Sequence, residues 1–173
     1  MKFYSGFSLK NEEYFFDAYL DKGDYSVSGF SYGAISALQT VLASIDNNLR
    51  VDKLQLLSPA FFQTYDKKFK RLQLMSYRKD TELYLNNFID LCFSPYAIKE
   101  LQKTDTTVDE LEELLDYKWS LQSLQKVVDS GVKIEIYLGG KDKIIDVQSA
   151  YDFFLEIGTI TYIKDANHFL QIN

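Results

Sequence analysis

The chain has 173 residues, 19 Lys plus Arg against 25 Asp plus Glu, a net charge of −6, and 46% hydrophobic residues. Those figures describe one acidic domain with apolar side chains enough for a core, and they exclude a disordered chain. The lone Cys92 excludes an internal disulfide framework, no stretch reads as a signal peptide or a membrane span, and the acidic balance argues against duplex nucleic acid, so a reducing cytoplasm is the expected setting.

Short β-like runs alternate with helix-like segments, which predicts a mostly parallel α/β sheet. Residues 2–7 read as the first strand. Asn11 is placed to cap a helix whose first turn holds Glu12 and Glu13, whose apolar face holds Phe15, Tyr19 and Leu20, and which Gly23 ends. Residues 25–29 form a second strand, and Ala34, Leu38, Val41, Leu42 and Ile45 then recur at helical spacing. Residues 51–57 make a third strand.

Beyond Pro59 the strand signals stop. Residues 61–77, 81–92, 107–118 and 121–129 read as successive helices, so a helical insertion of about 60–129 interrupts a single domain spanning 1–173. Thr107 and Glu110 have capping-box spacing, and Leu111, Leu115 and Trp119 share a face. The sheet resumes at 133–138, followed by a helix over 147–157 and a last strand at 159–163.

Within the strands Ser26, Ser28, Lys133, Glu135 and Thr161 alternate with Val27, Ile134, Ile136, Ile160 and Tyr162, giving one polar face. If each strand joins its predecessor by a right-handed crossover, the helices all fall on the other face. The expectation is a reduced two-layer domain of about five strands, its polar face left to solvent or to self-association.

Gly29-Phe30-Ser31-Tyr32-Gly33 is a G-x-S-x-G sequence between a predicted strand and a predicted helix, the context of a nucleophile elbow. A serine hydroxyl needs a base to take its proton, and His168 is the only histidine. It follows the last strand, in the chain order Ser, Asp, His. Asp142 is the carboxylate that ends the preceding strand, where it would orient the imidazole. Asp146 competes but stands where a helix cap belongs, and Asp165 reads as a loop residue. The backbone amides of Tyr32 and of Phe7, in Ser5-Gly6-Phe7-Ser8, are the candidate oxyanion donors.

Lys67, Lys70 and Arg71 share a helical face, with Arg78 beyond, whereas Asp109, Glu110, Glu112 and Glu113 concentrate the opposite charge. A solvated face or an acidic partner explains the first cluster equally well. Cys92 lies with Leu85, Phe88 and Ile89 as core. No residues have metal-ligand spacing and no Gly-rich phosphate loop is present, so no cofactor is expected.

Phe3-Tyr4-Ser5-Gly6-Phe7, Lys10-Asn11-Glu12, the elbow, Phe69-Lys70-Arg71-Leu72-Gln73-Leu74 and Leu114-Leu115-Asp116-Tyr117-Lys118 together resemble the BioV-type pimeloyl-acyl-carrier-protein methyl ester esterases of bacterial biotin synthesis, an α/β-hydrolase family. The resemblance spans nearly the whole chain. It departs after the serine, where Tyr32 stands in place of the expected Met or Gln. It implies a serine carboxylesterase with Ser31, Asp142 and His168 as its triad. It further implies an acidic acyl-carrier protein as partner for Lys67, Lys70, Arg71 and Arg78, and an apolar passage lined by Phe61, Phe62 and Trp119. A broad carboxylesterase or thioesterase, and a catalytically silent binding module of the same fold, are the rival readings.

Overall fold

Five strands, every neighbouring pair parallel, form the sheet of the protein, which a computed structural model describes over residues 1–173. In chain order the elements are β1 (Lys2–Tyr4), β2 (Leu9–Lys10), a 3₁₀ turn (Glu13–Phe16), β3 (Ser26–Phe30), α1 (Gly33–Asp46), β4 (Lys53–Leu57), α2 (Lys67–Lys79), α3 (Thr81–Phe93), β5 (Gln102–Lys103), α4 (Val108–Asp116), α5 (Leu121–Asp129), β6 (Lys133–Gly139), α6 (Val147–Phe154) and β7 (Thr159–Ile163). The sheet order is β1-β3-β4-β6-β7, so each strand is laid beside the previous one in a constant direction, and β2 and β5 form a separate antiparallel ribbon.

That order carries the chain's chemistry to one rim, because loops leaving parallel strands at their C-terminal ends emerge side by side. The helical layer packs where the β-branched and leucine side chains point. Helix α1 lies on β1, β3 and β4 with Ala34, Ile35, Ala37, Leu38 and Val41 buried, while α5 packs on α1 and β6, and α6 on β6. The register pairs Val27 with Leu54 and Leu54 with Ile134, and Gly29 with Leu56 and Leu56 with Ile136, so this face is continuously apolar at its centre. No helix is long and apolar enough to cross a membrane.

The opposite face carries Ser28, Gln55 and Glu135 in register. Half of it is covered. Fully buried Gln55 accepts hydrogen bonds from the Asp21 amide at 2.8 Å and the Ser28 hydroxyl at 3.1 Å, and donates to the Tyr19 carbonyl at 2.9 Å and to Glu135 at 3.0 Å. The expected helix from Asn11 to Gly23 therefore stops after one 3₁₀ turn, since a continuing helix would have kept the Tyr19 carbonyl and Asp21 amide for its own ladder. Asn11 does not cap it. Its φ is 59°, and Glu12, the residue before the turn, swings its carboxyl inward instead. Over β6 and β7 the polar face stays open, with Lys133, Thr159 and Thr161 exposed.

Between β4 and β6 the chain forms four helices and the short β5; α2, α3 and α4 stand together while α5 returns to the sheet layer. Helix α2 starts at Lys67 rather than Phe61. The Asp66 side chain caps it by accepting the Phe69 amide at 2.7 Å, and the residues before it are spent on the core. Phe61 packs on Phe153 and Phe154, and Trp119 donates its indole N–H to the Ala60 carbonyl at 2.7 Å. Asp80 caps α3, and Thr107 with Glu110 closes the anticipated capping box on α4.

Candidate active site

Ser31 occupies the turn between β3 and α1 with φ at 52°, a left-handed conformation that a serine adopts only when its surroundings force it. The turn is clamped from both sides. The Ser31 amide donates to the Leu57 carbonyl at 2.9 Å, and the Ser31 carbonyl accepts from Ala34 and from Ala60, each at 3.1 Å. Both flanking glycines are sterically required: a Cβ on Gly29 would stand 2.2 Å from the Gly33 carbonyl oxygen, and one on Gly33 would stand 2.1 Å from that of Tyr4. The second contact also shows how closely the end of β1 approaches the elbow.

His168 follows β7 and is completely buried, as Ser31 nearly is. Its Nε2 stands 3.0 Å from Ser31 Oγ and its Nδ1 2.5 Å from Asp142 Oδ2. A carboxylate can only accept, so the Asp142 contact places the proton on Nδ1 and leaves the Nε2 lone pair facing the serine hydroxyl. That is the tautomer a general base needs. Asp142 is itself held, its Oδ1 accepting the Ile144 amide at 2.7 Å. The imidazole loop is held through Asn167, whose amide donates to the Phe93 carbonyl at 2.8 Å and whose carbonyl accepts the Gln171 amide at 3.0 Å. Asp146 caps α6 through Ser149, and Asp165 pairs with Lys141 at 3.0 Å on the surface, so neither competes with Asp142.

The side chains of the two candidate oxyanion residues are in contact. The Phe7 and Tyr32 rings meet edge to face with centroids 6.2 Å apart, and neither residue's amide has an acceptor within the chain. The Tyr32 hydroxyl donates to Glu113 of α4 at 3.1 Å, and burial, with that carboxylate beside it, pushes the phenol up to about 12. Glu113 is thus hydrogen-bonded, while Asp116, at the end of α4, forms an ion pair with Lys70 at 3.0 Å.

A cavity of about 570 Å3 opens between α2, α3 and α4, with Phe7 at the oxyanion loop and Ile144 beside the Asp142 loop among its walls. Phe62, Phe69, Phe88 and Leu114 make much of the remainder apolar. Of the three side chains expected to line a passage, Phe62 does; Phe61 and Trp119 are committed to the core around Phe154. The cation cluster divides as well. Lys67, Arg71 and Arg78 are exposed without an ion pair, whereas Lys70, its side chain 15% exposed, bends onto Asp116. Cys92 is buried, and burial raises its thiol well above the ordinary range, which removes it as a nucleophile.

Sequence reasoning passed over Glu12, Asn167 and Tyr32's contact with Glu113. A local signal existed only for Asn167, through its place before the single histidine; the other two depend on segments distant in the chain.

Fold and geometry together define an α/β-hydrolase fold with a Ser–His–Asp arrangement at its C-terminal sheet rim. Among solved structures, the chain is similar to BioG from Haemophilus influenzae, at 10% identity over 97% of this chain and 87% of that one, with a TM-score of 0.57. It is also similar to naproxen esterase from Bacillus subtilis, at 17% identity and a TM-score of 0.55, and to the esterase EaEST from Exiguobacterium antarcticum, at 18% and 0.51. It covers 54% and 58% of those two esterases, from 85% and 82% of its own length, and so spans little more than half of each. No protein-family model matches the chain, and no curated protein matches it.

Proposed function

We propose that the protein is a serine ester hydrolase, and that its substrate is the methyl ester of a pimeloyl chain carried on acyl-carrier protein. The observation that carries the hydrolase reading is the 3.0 Å and 2.5 Å hydrogen-bond chain from Ser31 through His168 to Asp142. Ser31 Oγ attacks the ester carbonyl while its proton passes to His168 Nε2. The carbonyl oxygen, now anionic, is received by the Phe7 and Tyr32 amides. The tetrahedral intermediate collapses by expelling alkoxide, which takes the proton back from His168 and departs as alcohol. Water then repeats the cycle: His168 removes its proton, the hydroxide attacks the acyl-serine, and collapse returns the proton to Ser31 and frees the carboxylate. The named esterases of the same fold support this reading, as does the apolar cavity reaching the oxyanion loop.

The narrower substrate rests on the motif resemblance and on the exposed cations of α2. A carrier protein is acidic, and Lys67, Arg71 and Arg78 offer it charge at one flank of the cavity-forming helices. A fluorophosphonate probe and a pair of substrates test both levels. Ser31→Ala is expected to lose labelling and to lower kcat by about 10³-fold or more; labelling that persists removes the nucleophile. The double charge reversal Arg71→Glu, Arg78→Glu is expected to lower kcat/KM about tenfold on the carrier-bound methyl ester and to leave a free short-chain ester unchanged. Equal specificity constants of the wild type for the two esters would favour a generalist esterase.

A further inference from the structure

We propose that Glu12 is a positioning residue for the oxyanion site: its buried carboxyl fixes the turn that aims the Phe7 amide. This inference rests on the ester-hydrolase reading and extends it to a residue that does not touch substrate. Glu12 is completely buried, and one of its oxygens accepts the Gly6 amide at 2.7 Å. The Gly6 carbonyl is held in turn, accepting the Leu9 amide at 3.1 Å. In a planar trans peptide the C=O of Gly6 and the N–H of Phe7 point in opposite directions, so fixing the carbonyl fixes the aim of the Phe7 amide. Glu12 secures the peptide before it and Leu9 the peptide that bears it, leaving this donor little freedom.

Two features argue that the carboxyl is there for placement rather than for stability. Its second oxygen has no hydrogen-bond partner, and an unsatisfied buried oxygen is a net cost to folding. Burial also raises the acid above its ordinary range, so the folded chain holds the charged form reluctantly. The rest of the loop is anchored independently. Leu9 and Lys10 pair with Gln102 and Lys103, the Thr104 amide donates to the Ser8 carbonyl at 3.0 Å, and the Ser8 and Thr106 hydroxyls are hydrogen-bonded. Removing the Glu12 carboxyl therefore frees the Ser5–Gly6 peptide, one of the two holds on the turn, without dismantling its surroundings.

The experiment compares wild type, Glu12→Ala, Glu12→Asp and Glu12→Gln for ester turnover and for the rate of fluorophosphonate labelling, with melting temperature recorded alongside. Glu12→Ala is expected to lower kcat by about 10- to 100-fold, with KM changed less than about twofold and labelling slowed in parallel, because a donor out of place is felt in the transition state. Glu12→Gln keeps an acceptor oxygen and is expected to stay within about threefold of wild type. Glu12→Asp, one methylene short, is expected to fall between them, and it decides the matter if Glu12→Ala does not fold. Wild-type kcat in Glu12→Ala or Glu12→Asp overturns the inference, as does a loss that Glu12→Gln shares in full. A wild type that neither labels at Ser31 nor cleaves any ester overturns the hydrolase reading instead, and the two failures are separately visible.

Discussion

The elbow rim and the helical side above it are built on opposite terms. At the rim, main-chain contacts leave no slack: Gly29 and Gly33 face carbonyl oxygens at about 2 Å from where a Cβ would stand, and Ser31 and His168 are sealed from solvent. Across the cavity, α2 and α3 meet solvent with Leu72, Met75, Leu83 and Leu91 exposed, and the helical side touches the rim through few polar links, such as Tyr32 to Glu113 of α4 and Asn167 to Phe93 of α3. The elbow is thus fixed by backbone contacts, whereas the cavity walls are built from side chains.

Three measurements sharpen or break that division. The largest effect is expected from Asp142→Asn, which preserves the shape of the rim but favours the wrong imidazole tautomer; kcat should fall by about 10³- to 10⁴-fold with little change in KM. A smaller loss would mean that the 2.5 Å contact is not what orients His168. Next comes Leu114→Phe, which narrows the cavity from α4. It is expected to lower kcat/KM by about tenfold for a long acyl ester while sparing an acetyl ester; an equal loss on both would show that the cavity is coupled to the chemistry after all.

The smallest concerns the far side of the sheet. Burial alone would raise the Glu135 carboxyl, but hydrogen bonds from Lys133, Lys53 and Gln55 outweigh it and hold the acid below its usual value, while Lys53 also binds Asp21 at 2.7 Å. A depressed carboxyl stabilises the fold above its ordinary value of 4.5, and that contribution is lost as pH falls through the folded value. Lys53→Met should therefore lower the melting temperature by about 1–3 °C at pH 7, with the gap closing as pH falls through the lowered Glu135 and Asp21 values and turnover unaffected.

What the amino-acid order disclosed follows the same division. The elbow, the lone histidine and Asp142 were legible because a left-handed serine between glycines, and residues that end strands, leave marks within a few positions of themselves. The crossovers were legible from apolar periodicity, and α4 from Thr107 and Glu110. Glu12 looked like the first turn of a helix, since only the packed fold shows that its carboxyl meets Gly6. The β2–β5 ribbon joins two-residue strands about 90 positions apart, too short for any pattern. Lys70 read as one of several surface cations because its partner Asp116 arrives from another helix. The true start of α2 did carry a sign in Asp66, which the apolar run at Phe61 and Phe62 overrode.

Because every strand of the main sheet points the same way, the starts of β3, β4 and β6 lie at the end remote from Ser31, and the exposed turn at residues 47–50 that leads into β4 lies there too. That turn is a natural handle. A reporter peptide grafted into it, or a linker tethering the protein to a bead, would hang from the blunt end of the molecule, clear of the working rim and of the α2 cations.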